Sequence, residues 1–229
     1  MFYFSIVIPA YNEEGNIKIL VDEILSSIDK KKYIYEIIIV DDCSQDDTKN
    51  IIKKIIKNYP NLIKIYENEN NYGQSRSIFN GVKISKYKNI LTLDADRQNN
   101  PKDINKLSEI FFKDYNIKLV SGIRHNRKDN LIKKISSSFA NSIRKLILKD
   151  NCPDSACGLK IFDKETFNKI PYFDGFHRFF PALFLIYGDK NKYVNIDHRY
   201  RVCGKSNYGT IKRLFKGIKD MVYVYSLKK

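Results

Sequence analysis

The chain has 229 residues, of which 43% are hydrophobic, so it is long enough to bury one sizeable core or two small ones. Its four cysteines include no C-x-x-C pair, which favours reduced structural thiols. No run of the sequence approaches the roughly 18 uninterrupted apolar residues of a membrane-spanning helix. The whole net charge of +15 lies in the second part, since residues 1–100 hold 14 basic and 14 acidic side chains and residues 101–229 hold 27 and 12.

Short apolar runs alternate with longer amphipathic segments along the first half. We predict strands at residues 4–10, 36–41, 62–66, 89–94 and 117–122. Between them, an apolar period of about 3.6 residues predicts helices at 14–29, 47–58, 74–86 and 101–114. Near-continuous Ile and Val runs suit strands covered on both faces, and alternating helices supply the crossovers of a parallel sheet. The sequence therefore predicts a doubly wound α/β fold.

Polar groups follow three of these strands at the point where each strand ends. Residues 9–14 (PAYNEE) follow the first strand, residues 41–44 (DDCS) the second, and residues 94–98 (DADRQ) the strand near residue 90. Ligands of such sheets bind outside the carboxyl ends of the strands, so we expect the three segments to converge on one site. The sequence contains neither G-x-G-x-x-G after the first strand nor a P-loop, so carboxylates must do the recognition.

Asp94 and Asp96 are candidate metal ligands. Side chains at i and i+2 of an extended segment point the same way, so the two carboxylates repel each other unless a cation or a proton intervenes. Mg²⁺ and Mn²⁺ prefer oxygen ligands and leave coordination positions for water and substrate phosphates. Acidic clusters after a strand are also ordinary turn chemistry, but acidic clusters at three successive strand ends favour the metal. Because Asp42 could accept hydrogen bonds from a ribose or a base, a nucleotide diphosphate is the expected ligand.

These segments resemble the motifs of the family 2 glycosyltransferases with the GT-A fold. The resemblance lies in SIVIPAYNEE at 5–14, IIVDDCSQDDT at 38–48, NYGQSRSIFNG at 71–81 and the D-x-D at 94–96. More narrowly, DADRQNNP at 94–101 is similar to the D-A-D-x-Q-x-x-P of dolichyl- and polyprenyl-phosphate sugar synthases. CGLKIF at 157–162, FDGFHRFFPAL at 173–183 and HRYRVCGKSNYG at 198–209 resemble dolichyl-phosphate mannose synthase signatures, with Asn207 where that group usually has Lys.

The resemblance covers nearly the whole chain and implies one GT-A catalytic domain over residues 1–229, with a Rossmann-like, mostly parallel sheet flanked by helices. Residues 1–100 would bind the nucleotide sugar and residues 101–229 the acceptor. The implied reaction transfers a sugar, mannose by nearest analogy, from a nucleotide diphosphate to a polyprenyl or dolichyl phosphate, with inversion at the anomeric carbon. A transferase acting on a saccharide or lipid-linked saccharide is the alternative, and a basic nucleic-acid-binding module is a distant one.

The same resemblance implies the site residues. The cofactor, Mg²⁺ or Mn²⁺, would be held by Asp94, Asp96 and Gln98. Arg124 and Arg201 match family positions that contact donor or acceptor phosphate, and guanidinium groups hold phosphates well. With the two aspartates they form the expected catalytic set. The implied nucleotide pocket consists of Pro9, Tyr11, Glu13, Val40, Asp42, Ala95 and Lys205.

A phosphate acceptor explains why the sequence needs no obvious catalytic base. A phosphate monoester is already anionic at pH 7, whereas a sugar hydroxyl must lose a proton. No T-E-D or E-D motif follows the D-x-D. Arg144, on a helix predicted at 130–149, resembles the family's acceptor-phosphate helix less strictly. His177 could contact substrate or belong to the scaffold.

The C-terminal segment predicts an amphipathic helix at 209–226 with several lysines beside apolar residues. It resembles an interfacial membrane-binding surface, although docking of its apolar side on the domain is an equal competitor. We expect a protein that is cytoplasmic and peripheral on the cytoplasmic face of the membrane, held through its basic half or through a membrane-spanning partner subunit. No nucleic acid partner is expected, because zinc-finger spacing and RNA-binding aromatic motifs are missing.

Overall fold

The computed structural model describes residues 1–125, 142–188, 190–201 and 210–228. The strands are β1 (Phe2–Ala10), β2 (Tyr33–Asp41), β3 (Ile63–Glu67), β4 (Asn89–Thr92), β5 (Ile117–His125), β6 (Lys160–Asp163) and β7 (Lys190–Asp197). The helices are α1 (Ile17–Ser27), α2 (Thr48–Asn58), α3 (Gln74–Ile84), α4 (Asp103–Lys113), α5 (described over 142–148), α6 (Lys164–Lys169), α7 (Phe180–Gly188) and α8 (Thr210–Ser226). A 3₁₀ helix at Phe176–Phe179 precedes α7.

The described strands form one sheet in the order β3-β2-β1-β4-β6-β5-β7. β1 pairs in parallel with β2 and β4, β2 pairs in parallel with β3, and β5 with β7. Only β6 among these strands runs antiparallel to its neighbours β4 and β5. The predicted Rossmann-like, mostly parallel sheet in a single domain is therefore confirmed. The strand predicted at 89–94 ends two residues earlier, at Thr92.

Both faces of the sheet are buried, as the near-continuous apolar strands predict. In β2, Ile37 and Ile39 pack into a core cluster that includes residues of α1, α2 and α4. Ile38 and Val40, on the opposite face, pack with residues of α3, α6, α7 and α8. All four side chains are fully buried. A strand flanked by helices on both sides has no polar face, which explains why β2 shows no alternation.

The strand register brings the carboxyl ends of the first strands together. Ala10 lies opposite Asp41 in the β1/β2 pair, and Asp41 lies opposite Glu67 in the β2/β3 pair. Just beyond β4, the Leu93 N–H donates to the Val7 carbonyl of β1 at 3.2 Å. The polar segments after β1, β2 and β4 therefore leave the sheet at the same edge.

The C-terminal helix α8 packs on the domain through one face. Met221 and Val224 are buried, whereas Val222 and Tyr225 are exposed. The Phe173 and Tyr223 rings meet edge to face with centroids 5.1 Å apart. Within the ranges that the structure describes, no helix combines the length and apolarity needed to cross a bilayer.

Candidate active site

Hydrogen bonds between the loops hold the carboxyl edge of the sheet together. After β1, the Asn12 N–H donates to Ser44 Oγ at 3.0 Å, and Asn12 Oδ1 accepts from the Gln45 N–H at 2.8 Å. Asn12, Cys43 after β2 and Arg97 after β4 have φ values of 55°, 64° and 61°. Such left-handed conformations are uncommon for residues with a Cβ and cluster at functional sites. The loops thus place polar groups at the cost of backbone strain.

Glu13 connects the first loop to the carboxylates beyond β4. Its N–H donates to Thr48 Oγ1 at 2.8 Å, and its Oε2 accepts from Asn16 Nδ2 at 2.6 Å. Burial raises the pKa of Glu13, the Asn16 hydrogen bond opposes that rise, and the charge of Asp96 adds to it. Glu13 and Asp96 therefore lie close enough to interact electrostatically, so the loops after β1 and β4 are neighbours at this edge of the sheet.

Asp42 organises the loop that precedes α3. It is 4% exposed, and its Oδ1 accepts from Asn68 Nδ2 at 2.6 Å and from the Tyr72 N–H at 3.1 Å. Its Oδ2 accepts from the Gly73 N–H at 2.7 Å. Because a carboxylate offers about four acceptor positions, Oδ2 keeps capacity for one more donor. Asp42 can therefore fix this loop and still accept a hydrogen bond from a ligand.

The other residues predicted for the nucleotide pocket differ in their placement. Pro9 and Tyr11 are partly exposed at the carboxyl edge. Ala95 is 3% exposed and Val40 is fully buried, with the Val40 side chain packed beneath α3, so this side chain does not reach the cleft. Lys205 lies outside the described residues.

Asp94 is partly buried and packs against the backbone of Gly158. Its Oδ1 accepts from Nε2 of Gln74, the first residue of α3, at 2.8 Å. A Cβ built on Gly158 would overlap all three carboxyl atoms of Asp94. Thr92 Oγ1 donates to the Gly158 carbonyl at 2.8 Å and holds this backbone in place. The position of the carboxylate therefore depends on a residue without a side chain.

Asp96 is the second carboxylate and contacts a cation directly. It is 7% exposed, its Oδ1 accepts from the Gln98 N–H at 3.1 Å, and its Oδ2 pairs with Arg201 at 2.6 Å. The segment that carries Arg201 is tied to the D-x-D loop by an isolated β-bridge between Asn99 and His198. The chain therefore returns after β7 to place an arginine on the carboxylate pair.

The electrostatics of the carboxylate pair fit a bound cation. Burial raises the pKa of Asp94 to about 6, and the neighbouring charge of Asp96 adds to the rise. The carboxylate oxygens of Asp94 and Asp96 and the amide oxygen of Gln98 are hard oxygen ligands, a set suited to Mg²⁺ or Mn²⁺. No group of three or more His, Cys, Asp or Glu side chains is arranged for a metal within the described ranges. The candidate site is thus limited to two carboxylates, as Mg²⁺ commonly accepts.

Asp94→Asn should stabilise the metal-free protein, because ionised Asp94 is disfavoured in the folded state. At pH 7 we expect the variant's free energy of unfolding to exceed that of the wild type by about 3 kcal/mol, from a pKa raised from 3.8 to about 6. As the pH falls through 6, wild-type Asp94 takes up a proton and the difference should narrow towards pH 4. Urea unfolding in EDTA from pH 7 to pH 4 measures this, and a difference that widens on acidification would contradict it.

Arg124 is fixed by a bidentate ion pair. Its Nε and Nη2 donate to the two carboxylate oxygens of Asp154, each at 2.7 Å. Burial alone would lower the pKa of Arg124, but the Asp154 hydrogen bonds and charge raise it overall. Arg124 therefore stays charged and oriented, and a phosphate would have to replace or share Asp154 as its partner.

The Arg144 side chain is engaged in a buried ion pair with the loop that follows α5. It is 5% exposed, its Nη1 donates to Asp150 at 2.6 Å and its Nη2 donates to the Cys152 carbonyl. These contacts tie α5 to the loop that follows it. The resemblance of Arg144 to an acceptor-phosphate residue is therefore not matched by its position, and its contacts are those of a structural ion pair.

A cavity of about 60 Å³ lies next to Asp94, and its lining includes His177, which the sequence proposed either as a substrate contact or as part of the scaffold. Its polar lining also includes Gln74 and Lys160, which sequence patterns did not single out as site residues. Lys160 is 4% exposed, donates to the Cys157 carbonyl and lowers the pKa of Asp94 through its charge. These residues come from segments far apart in the chain, so spacing alone gave no signal for them.

A mostly parallel sheet with a D-x-D pair beyond its central strand is the arrangement of the GT-A glycosyltransferases. The chain belongs to glycosyl transferase family 2, whose sequence pattern matches residues 5–171.

Two curated relatives cover most of the chain. It is 32% identical over 224 residues to a dodecaprenyl-phosphate galacturonate synthase of Rhizobium johnstonii, which covers 96% of this chain and 65% of that protein. It is 29% identical over 206 residues to an undecaprenyl-phosphate 4-deoxy-4-formamido-L-arabinose transferase of Aeromonas hydrophila, covering 90% and 62%. The chain therefore spans somewhat less than two thirds of the length of these relatives.

Solved structures agree on the fold. A glucosyl-3-phosphoglycerate synthase from Mycobacterium tuberculosis, crystallised with Mn²⁺, UDP and glucosyl-3-phosphoglycerate, superposes with a TM-score of 0.73 over 99% of this chain and 80% of that one. Its complex with Mg²⁺ and UDP gives a TM-score of 0.74 over 99% and 79%. At 17% identity, the likeness establishes the GT-A fold alone.

Proposed function

We propose that this chain transfers a sugar from a nucleotide-diphosphate sugar to the phosphate of a polyprenyl or dolichyl lipid. The observation that carries the proposal is the contact of Asp96 with Arg201 at 2.6 Å. It places a group suited to a metal-bound diphosphate beside a group suited to a phosphate. The names of the two curated relatives, which refer to dodecaprenyl and undecaprenyl phosphate, support this acceptor class.

The donor would bind at the ends of β1, β2 and β4. Asp42 would accept a hydrogen bond from the nucleoside, while Asp94, Asp96 and Gln98 would hold Mg²⁺ or Mn²⁺ against the diphosphate. When bound, the ion supplies Lewis-acid stabilisation to the departing nucleoside diphosphate. The presence of Mn²⁺ or Mg²⁺ together with UDP in the M. tuberculosis synthase supports this choice of cofactor.

The chain's own contribution to the reaction is mainly positioning. Arg124 and Arg201 are each paired with a carboxylate in the absence of substrate, so their guanidinium groups are oriented before substrate arrives. Exchange of a carboxylate for a lipid phosphate would set the attacking oxygen against the anomeric carbon without a catalytic base. Since the phosphate is already anionic, the arginines need only hold it.

The donor sugar is the least constrained part of the proposal. Mannose stays a prediction from the motif resemblance, and the relatives named for galacturonate and 4-formamido-arabinose make these sugars its direct competitors. A screen of GDP-mannose, UDP-glucose and UDP-galacturonic acid with polyprenyl phosphate and Mg²⁺, run beside free saccharide acceptors, distinguishes them. Transfer to free saccharides but not to polyprenyl phosphate would overturn the proposed acceptor.

We also propose that the outer face of α5 and α8 contacts the membrane surface. Lys228 Nζ donates to the Leu148 carbonyl and joins the two helices. The only acidic residue of α8, Asp220, turns inward to Arg178 at 2.7 Å, and exposed lysines flank the apolar side chains. The apolar side chains of this face, from 36% to 79% exposed, are Ile143, Leu146, Ile218, Val222 and Tyr225.

Binding to anionic vesicles tests this face. We expect Leu146→Ser and Val222→Ser each to weaken vesicle binding by about threefold or more through lost apolar burial. We also expect wild-type binding to weaken between about 0.1 M and 0.5 M salt, because screening shortens the reach of the lysines. Tyr115→Ser is the matched control, since Tyr115 is 86% exposed and belongs to the segment before β5 rather than to α5 or α8. Vesicle co-sedimentation measures the binding of all three variants and of the wild type. Equal losses of binding in the three variants would refute the assignment of this face.

A further inference from the structure

The orientation of the His177 ring is set by Ser75 of α3. Ser75 is fully buried, and its Oγ lies 2.6 Å from His177 Nδ1 and 2.8 Å from the N–H of Gly175. Gly175 has a φ of 104°, a conformation that glycine adopts readily. The turn before the 3₁₀ helix thus brings an N–H and an imidazole to one hydroxyl group.

This arrangement assigns the proton on the imidazole. The Gly175 N–H can only donate, so Ser75 Oγ accepts from it and directs its own proton to His177 Nδ1. In the opposite assignment, with Nδ1 protonated, Ser75 Oγ would accept from both His177 and Gly175, and its own proton would need a further acceptor. Among the described residues, the hydrogen bonds of this hydroxyl include no such acceptor. Leaving it unpaired would cost about 1 to 3 kcal/mol. His177 therefore carries its proton on Nε2, on the side of the ring away from Ser75.

We propose that His177 Nε2–H donates a hydrogen bond to an exocyclic oxygen of the donor sugar and helps to select that sugar. The inference rests on the proposed function. His177 lines the cavity beside Asp94 together with Gln74 and Lys160. At about 60 Å³, the cavity holds a few waters and is too small for a sugar ring, but it accommodates a single substituent such as a hydroxymethyl or carboxylate group.

The lining of the cavity favours a sugar substituent over a phosphate. Neither Arg124 nor Arg201 is among the residues that line it, and Arg178, which does line it, pairs with Asp220. The remaining walls include the apolar side chains of Ile78 and Phe180. The charge of Lys160 is opposed by that of Asp94, and the amide of Gln74 and the imidazole of His177 supply further donors. A few polar groups of balanced charge beside apolar surface suit a polar, uncharged or weakly charged substituent.

Two amide substitutions, each of which reproduces one ring nitrogen of His177, separate a sugar contact from a structural role. Glutamine places its amide nitrogen near the position of His Nε2, whereas asparagine reaches only the position of Nδ1. We expect His177→Gln to stay within about threefold of the wild-type kcat/KM, and His177→Asn to lose about 10- to 100-fold. A residue that mattered only through Ser75 would give the reverse order, since asparagine can keep that hydrogen bond. Thermal unfolding of both variants checks that the fold is intact.

Binding measurements distinguish failure of this inference from failure of the proposed function. Calorimetry with Mg²⁺ compares UDP with UDP-galacturonic acid, and GDP with GDP-mannose, for the wild type and His177→Asn. We expect His177→Asn to bind the nucleoside diphosphates as the wild type does and to lose affinity for the matching nucleotide sugar. Equal affinities of the two proteins for the nucleotide sugar, or equal losses for sugar-bearing and sugar-free ligands, overturn the role of His177. A wild type that binds none of the four ligands overturns the proposed function itself.

Discussion

Asp96→Ala should lower kcat/KM by about a thousandfold or more, because on the proposed function it removes a charged metal ligand from a site where positioned charges would stabilise the leaving group. The carboxylate is 7% exposed and its two oxygens already contact the Gln98 N–H and Arg201. The change therefore removes a proposed metal ligand and also the ion pair between this carboxylate and Arg201. Mn²⁺ titration followed by electron paramagnetic resonance should detect loss of the bound ion independently of turnover.

The matched control for Asp96→Ala is Asp22→Ala. Asp22 also pairs with a cation, Lys18 at 2.7 Å, but both side chains are more than half exposed on the outer surface of α1. Exposed pairs of this kind contribute little, so this variant should keep wild-type activity and Mn²⁺ affinity. Retention of full, metal-dependent activity by Asp96→Ala would remove this carboxylate from the site.

Two arginines of the candidate site are paired with carboxylates of the chain itself. These ion pairs explain how a chain with a large positive charge can keep its arginines in fixed orientations. Arg124 is held by Asp154 and Arg201 by Asp96, so each guanidinium charge faces a carboxylate in the absence of phosphate. The carboxylates act as internal stand-ins for substrate anions. On the proposed function, binding of a diphosphate and a lipid phosphate would require exchange of these partners, which would select ligands that carry enough negative charge.

Sequence patterns predicted the parts of the fold that depend on local composition. The Ile and Val runs of β1 and β2 cover both faces of the sheet, so their composition alone predicts buried parallel strands. β6 has four residues and runs antiparallel, and β7 carries lysines and asparagines among its apolar residues, so neither strand shows a clear apolar run. Their placement depends on tertiary pairing that no local pattern encodes.

The candidate site also combines residues that local sequence identifies with residues that only the tertiary structure brings in. The spacing of Asp94 and Asp96 at a strand end identifies them from local sequence, and the resemblance adds Arg201 from a distant motif. Gln74 and Lys160 come near Asp94 only because α3 packs on β1 and β2 while β6 pairs with β4, so they could not be found from spacing. Arg144 shows the converse, since a motif match placed it near the acceptor whereas folding turns it towards Asp150.

Gly158→Ala should abolish most activity through sterics alone. A Cβ at this position overlaps the carboxyl group of Asp94, while the Thr92 hydrogen bond to the Gly158 carbonyl resists movement of the backbone. Gly158 is not among the residues with positive φ, so backbone strain does not contribute. We expect kcat/KM to fall by about a hundredfold or more through displacement of Asp94, and stability to fall by about 1 to 3 kcal/mol from overpacking.

Gly217→Ala supplies the same chemical change where space is available. A Cβ on Gly217 of α8 meets no atom within 4 Å, and alanine is favoured over glycine within a helix by about 0.8 to 1.0 kcal/mol. This variant should therefore unfold at a slightly higher urea concentration than the wild type and keep its activity. Urea unfolding and transfer assays on the two variants test the argument together. If Gly158→Ala kept the wild-type kcat/KM and Mn²⁺ affinity, the position of the Asp94 carboxylate would not depend on its contact with the Gly158 backbone, and the steric explanation would be wrong.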